Sequence, residues 1–199
     1  MHKKKKSQLV LALRNKLLVR FASALEPGTV NGYVLGIGPQ FFLLALVSDG
    51  IRHDGFQCHR LSDIRKLRVP DKYAPFHEAV LRKRGIRFPR KPSVDVSSLA
   101  QLLLTANRAF PLVTIHRQKV DPSVCWIGRV VRLSKGRVTL LEIGPDATWD
   151  DALETYRLSE ITRVDFGGDY ENALQLIGGG KYERAVDLIW GPSNSRKSK

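Results

Sequence analysis

Arg60-Leu61-Ser62-Asp63-Ile64 returns 97 positions later as Arg157-Leu158-Ser159-Glu160-Ile161, and Tyr73 returns at the same spacing as Tyr170. Working upstream, Gly32-Tyr33-Val34 pairs with Gly128-Arg129-Val130 at an offset of 96, Glu26-Pro27 with Asp121-Pro122 at 95, and Leu18-Val19 with Leu112-Val113 at 94. An offset that drifts by single steps means that only one-residue insertions separate two versions of one unit, joined in tandem.

Each version reads the same way. Leu9, Leu13 and Leu17 recur at helical spacing behind a lysine tail, and Ser98 with Gln101 signals an N-cap before Leu99, Leu102, Leu103, Ala106 and Phe110. Short runs rich in β-branched and aromatic residues follow: about 18–21, 30–37, 41–47, 56–61 and 64–69, then 112–116, 125–133, 137–143, 155–158 and 161–166. Gly38-Pro39-Gln40 and Ser134-Lys135-Gly136 read as hairpin turns. A short helix closes each unit, with Pro75 suited to its first turn and Gly85 to its end in the first. The expected organisation is a first unit at 1–85, a basic linker at 86–97, a second unit at 98–190 and a disordered polar tail at 191–199. One helix and about five bent antiparallel strands per unit predict a mainly β fold with α, built as two small barrels.

That pattern, with Gly32-Tyr33-Val34 opening a long second strand, Phe41 to Val47 as a third and Leu61-Ser62-Asp63-Ile64 bridging the last two, resembles the Sm-like (LSm) family. The resemblance implies tandem Sm-like barrels and RNA binding in rings built by pairing edge strands. It places Gln40 in the turn where the family carries an acidic and an amide residue, and Cys58-His59-Arg60 near the family's second motif. The second unit, with Trp126-Ile127-Gly128, Trp149 and the run from Ile161 to Gly168, also resembles short bacterial proteins.

Hydrophobic residues make up 43% of the 199, mean hydropathy is −0.20, and no apolar run approaches the roughly 20 residues of a membrane span. Lys3 to Lys6 before Leu9-Val10-Leu11-Ala12-Leu13 has the outline of an export signal, but Arg14, Asn15, Lys16 and Arg20 interrupt it. Cytoplasmic residence is expected, with Cys58 and Cys125 as reduced, buried thiols.

Net charge is +14, unevenly spread. Residues 1–91 hold 19 basic and 6 acidic side chains, whereas 121–176 hold 6 and 10. The expected nucleic-acid contacts are Lys3, Lys4, Lys5, Lys6, Arg14, Lys16 and Arg20 before the first barrel, and Arg82, Lys83, Arg84, Arg87, Arg90 and Lys91 after it. Gln40, His59, Arg65, Lys66 and Arg68 are the contacts expected within it. Such residues give sequence-independent phosphate contacts by releasing condensed counterions. Two other readings stand beside this one: basic tails that serve solubility or embrace the acidic second unit, and edge strands that pair with a protein partner or a further copy.

Arg60 with Asp63 and Arg157 with Glu160 are expected as structural salt bridges across the bend between the last strands. His53, Cys58 and His59 have no counterpart in the second unit and make a poor metal set. Asp146, Asp150, Asp151 and Glu154 read as an exposed acidic loop. Of the aromatic candidates for base stacking, alternation predicts one of Phe41 and Phe42 buried and the other exposed, with Tyr33 also considered. No nucleophile, base and orienting residue group together, so a non-enzymatic role without cofactor, metal or small-molecule substrate is expected.

Overall fold

In both halves the repeated motif forms the same device. Leu61–Asp63 and Leu158–Glu160 are short 3-10 turns, and Leu61 N–H donates to the Gln40 carbonyl just as Leu158 N–H donates to that of Gly136. Each turn is thereby tied to the preceding hairpin and steers the chain back to its own first strand. The computed structural model describes residues 2–179. Residues 180–199, including the expected polar tail and the end of the second unit, lie outside the described residues.

The first half comprises α1 (His2–Asn15), β1 (Leu18–Ser23), β2 (Val30–Ile37), β3 (Phe41–Val47), β4 (His53–Arg60), β5 (Ile64–Arg68) and α2 (Ala74–Lys83). The second comprises α3 (Leu99–Ala109), β6 (Val113–His116), β7 (Cys125–Ser134), β8 (Arg137–Ile143), β9 (Trp149–Arg157), β10 (Arg163–Phe166) and α4 (Asp169–Gly178). All ten strands lie in one antiparallel sheet, ordered β5-β1-β2-β3-β4-β10-β6-β7-β8-β9. The internal order is therefore the same in each half. The halves join where β4 pairs with β10, from His59 opposite Arg163 to Phe56 opposite Phe166. Among the described residues the sheet is not closed, and β5 and β9 lie at its two ends.

Gly32 and Gly128 recur for a steric reason. A Cβ at either would come within 2.3 Å of the Ala45 carbonyl oxygen or 2.1 Å of that of Leu141, so only glycine lets β2 and β7 approach the next strand. The helix punctuation also follows the sequence: Ser98 Oγ accepts from Gln101 N–H, Pro75 sits in the first turn of α2, and Gly85 follows its end with φ +70°.

Both sheet faces are covered in the first half, which corrects the alternation expected for β3. Phe42 packs with Phe21, Val34 and Leu44 under Leu9 and Ala12 of α1, while Phe41 and Leu43 join a core that crosses the junction to Val113, Ile115, Val164 and Phe166. Both phenylalanines are buried, as is Tyr33. Each such side chain stabilises the fold by about 1.5–3 kcal/mol. The expected linker is partly core, because Val94 and Val96 pack into the same cluster. Lys3 to Lys6 are not a tail but the first turns of α1. Asp150, Asp151 and Glu154 lie along β9 rather than in a loop, and only Asp146 is in the preceding turn, where it accepts from Thr148. Cys58 is buried as expected, but Cys125 is exposed. Among the described residues no helix is long and apolar enough to cross a membrane.

Candidate nucleic-acid interface

The first turns of α1 carry four lysines and no carboxylate. They sit at the positive end of the helix dipole, where each cation costs about 0.3–1 kcal/mol. Leu9 and Ala12 nevertheless anchor α1 on the first half, and the lysines reach the turn between β2 and β3. Lys3 and Lys6 face Pro39, Gln40, Arg60, Leu61 and Ser62 around a cleft of about 400 Å³. Lys6 also borders a neighbouring groove with Gly38, Pro39, Lys91 and the carboxylate of Asp95. Gln40 is exposed at the rim.

Arg60 walls the cleft in a way the sequence did not suggest. Its Nε donates to the Ile161 carbonyl at 2.8 Å and its Nη2 to that of Ser159 at 3.1 Å, with the guanidinium 5.4 Å from the Phe41 ring centre. The expected bridge to Asp63 is absent; Asp63 accepts from Ser62 Oγ instead. Arg157 and Glu160 do approach, at 3.8 Å, but Arg157 is 68% exposed and Glu160 binds Arg117 at 2.6 Å. The pairs therefore differ because Arg60 has a second half to grip and Arg157 has none.

Charge neutralisation is one-sided. The ion pairs at Glu26, Glu160 and Asp165 all draw their cations from residues 116–163. Among the described residues, none of the 19 lysines and arginines up to Lys91 forms an ion pair with a carboxylate, although Lys91 lies near Asp95. A pair that does cross between halves runs the other way, from Arg163 to Glu26.

Other expected contacts lie elsewhere on the first half. Lys4, Arg14, Arg87 and Arg90 are exposed, and Lys5 Nζ donates to the Ile64 carbonyl. Arg65, Lys66 and Arg68 are exposed on β5, with Arg68 opposite Arg20 of β1. Arg82 and Lys83 end α2, and Arg84 donates to the carbonyls of Gly50 and Ile51. Lys16 lies over the Phe88 ring. His59 is the exception. It is buried, stacked on Phe42 and edge-on to Phe21, with Nε2 3.0 Å from Gln57 Oε1. Burial, more than its charged neighbours, lowers its pKa to about 4, so it is neutral and cannot touch a nucleic acid.

Lys72, Tyr73 and Phe88 were not anticipated as site residues. Their only sequence signal is an aromatic beside basic residues, which core strands share.

A second polar cluster lies at the junction. Arg163 contacts Glu26 and stands 3.1 Å from Asp165 Oδ1 in a Coulombic contact rather than an aligned hydrogen bond. His116 Nε2 lies 3.0 Å from Asp165 Oδ2 and 2.8 Å from Arg163 Nη2. A cavity of about 220 Å³ opens beside it, lined in part by Gln57, Thr114, Cys125 and Glu171. Its groups serve one another: Thr114 Oγ1 donates to Glu171 at 2.6 Å, Gly168 N–H donates to the same carboxylate, and burial raises the Cys125 thiol pKa. These are structural contacts, without an activated nucleophile. Cys58 and His59 point to opposite faces of the sheet, and among the described residues no three of His, Cys, Asp and Glu are grouped for a metal. Comparison with protein-family models, with curated proteins and with solved structures gives no match.

Proposed function

We propose that this is a non-enzymatic RNA-binding protein of two tandem Sm-like barrels, which engages phosphates through the basic first half. The observation that carries the reading is the cleft between α1 and the β2–β3 turn, where Lys3 and Lys6 converge on Gln40 and Arg60 and, among the described residues, form no ion pair. Cations held together against the helix dipole and against each other are stabilised by a polyanion. The repeated five-strand order and the 3-10 turn tied to each hairpin support the Sm-like part.

Fluorescence anisotropy with single-stranded RNA tests it. Binding weakens steeply with salt, and Lys3→Glu/Lys6→Glu loses at least about 10-fold in affinity while its salt slope falls by about 1.4, two phosphate contacts' worth. No binding by the wild type at low salt, or an unchanged slope in the variant, rejects the proposal.

A second reading, assembly through the free edges, is favoured by the contrast between Arg60 and Arg157. Arg60 holds β4 against the β10 side by gripping main-chain carbonyls, and its counterpart Arg157 stands exposed at β9. β9 carries Asp150, Asp151 and Glu154, whereas β5 at the opposite end carries Arg65, Lys66 and Arg68. Head-to-tail pairing of β9 with β5 of another copy would repeat the internal junction, with Arg157 replacing Lys5 at the Ile64 carbonyl. Light scattering is then expected to give multiples of 22.4 kDa that collapse in Arg157→Ala. A monomer at every concentration rules this reading out.

A further inference from the structure

On the α2 side of the first half, exposed aromatic rings stand beside cations that form no ion pair among the described residues. Tyr73, at the N-cap of α2, is 47% exposed, with Lys72 Nζ 4.5 Å and the Arg20 guanidinium 5.8 Å from its ring centre. Beyond the other end of α2, Phe88 is 40% exposed with Lys16 Nζ 5.2 Å from its ring centre. Arg20 faces Arg68 directly across β1 and β5, and its Nε donates to Thr29 Oγ1 at 3.0 Å. Asp71, the acid next to Tyr73, does not neutralise them. It is buried and its Oδ2 accepts from the Tyr73 N–H.

Like charges opposite each other in a sheet destabilise it, and a large exposed ring leaves apolar surface in water. The Tyr73 ring is not needed by the core, since Leu18, Tyr33, Ala74 and Leu81 already seat α2, whereas Phe88 packs edge-on against Tyr33 with ring centres 5.0 Å apart. A ring at the surface flanked by cations has the two components of a single-strand site: a face for a base and charge for the adjoining phosphates. Cation–π contacts at exposed positions are weak, so a base can take the ring while the cations turn to phosphate. The ten residues of α2 separate Tyr73 from the Phe88 end by about 15 Å, the length of about four stacked nucleotides.

We infer that Tyr73 is a base-stacking residue for single-stranded nucleic acid, with Arg20, Arg68 and Lys72 holding the neighbouring phosphates. This rests on the RNA-binding reading but uses none of the cleft residues. Duplex RNA is a poor ligand for this face because its bases are already stacked on one another.

The test is anisotropy with a short oligouridine strand and with an RNA duplex of the same length, at one salt concentration, for the wild type, Tyr73→Ala and Tyr73→Phe. Tyr73→Ala is expected to lose about 10-fold for the single strand. Tyr73→Phe keeps wild-type affinity, and the duplex responds to neither. Because the side chain is exposed, melting temperatures should agree among the three. Wild-type affinity in Tyr73→Ala, or an equal loss in Tyr73→Phe, overturns the stacking site. If Lys3→Glu/Lys6→Glu weakens binding while Tyr73→Ala does not, the stacking site falls alone. If the wild type binds neither nucleic acid, both readings fall together.

Discussion

Arg163→Met should cost about 3–5 kcal/mol of folding stability at pH 7, because removing one member of a buried ion cluster strands the others. Arg163 is only 13% exposed and is the shared partner of Glu26 in the first half and Asp165 in the second. Burial alone would raise the Asp165 pKa, but the Arg163 charge and the hydrogen bond with His116 outweigh it and leave the carboxyl below its ordinary value. A carboxyl with a lowered folded pKa contributes stability that is present above its unfolded pKa, about 3.9, and is lost as pH falls through the folded value. In Arg163→Met the balance reverses. Burial then dominates, the folded pKa rises above the unfolded one, and protonation at low pH relieves the stranded charge. The gap between wild type and variant therefore begins to narrow above about pH 4, where the variant's raised carboxyl takes up its proton, and narrows further below it as the wild type loses its own stabilisation. Urea titrations at pH 7 and pH 3.5 measure it, and a loss under about 1 kcal/mol at pH 7, or a gap that does not close in acid, contradicts the role given to Arg163.

His59 makes the wild-type protein acid-sensitive in a different window. Its folded pKa is about 4 because the ring is buried between Phe21 and Phe42, against 6.5 when unfolded. Between these values the unfolded chain binds a proton that the folded chain does not, so stability is fully present above pH 6.5 and falls as pH drops toward 4. The loss over that interval is about 3 kcal/mol at 1.36 kcal/mol per pH unit. His59→Phe preserves an aromatic ring in the pocket and removes the titration, so its stability should be nearly flat from pH 6.5 to 4. A wild-type curve equally flat over that range would show that His59 takes up its proton inside the fold. The Arg163→Met gap also begins to close above about pH 4, so the His59 window is read from wild type and His59→Phe alone, both of which keep Arg163.

Where sequence and structure agree, the interaction involved is short-range. Ser98, Pro75 and Gly85 mark helix ends through bonds or torsions that span a few residues. The motif at Arg60 to Ile64 and its repeat is legible because a 3-10 turn between two strands places similar demands on both copies. Where they disagree, a partner far along the chain has intervened. The i,i+3 spacing pointed Arg60 to Asp63, but its partner is the Ile161 carbonyl, 101 residues away. Alternation exposed one of Phe41 and Phe42, but the second half covers the face that a lone unit would leave open. His59 looked like a surface contact beside Arg60 until α1 and β1 closed over it. The candidate site divides in the same way: the surplus of cations was countable, whereas the meeting of Lys3 and Lys6 with Gln40, and of Arg20 and Lys72 with Tyr73, was not.

By itself, then, the amino-acid order determined the duplicated unit, its strands and caps, and the concentration of positive charge in the first half, since all of these are written in spacing and composition. The tertiary structure alone decided which cations share a cleft, which aromatic rings remain in water and which arginine joins the halves. Those outcomes depend on β4 pairing with β10 and on α1 seating over the β2–β3 turn, contacts between distant segments that leave no local pattern in the chain.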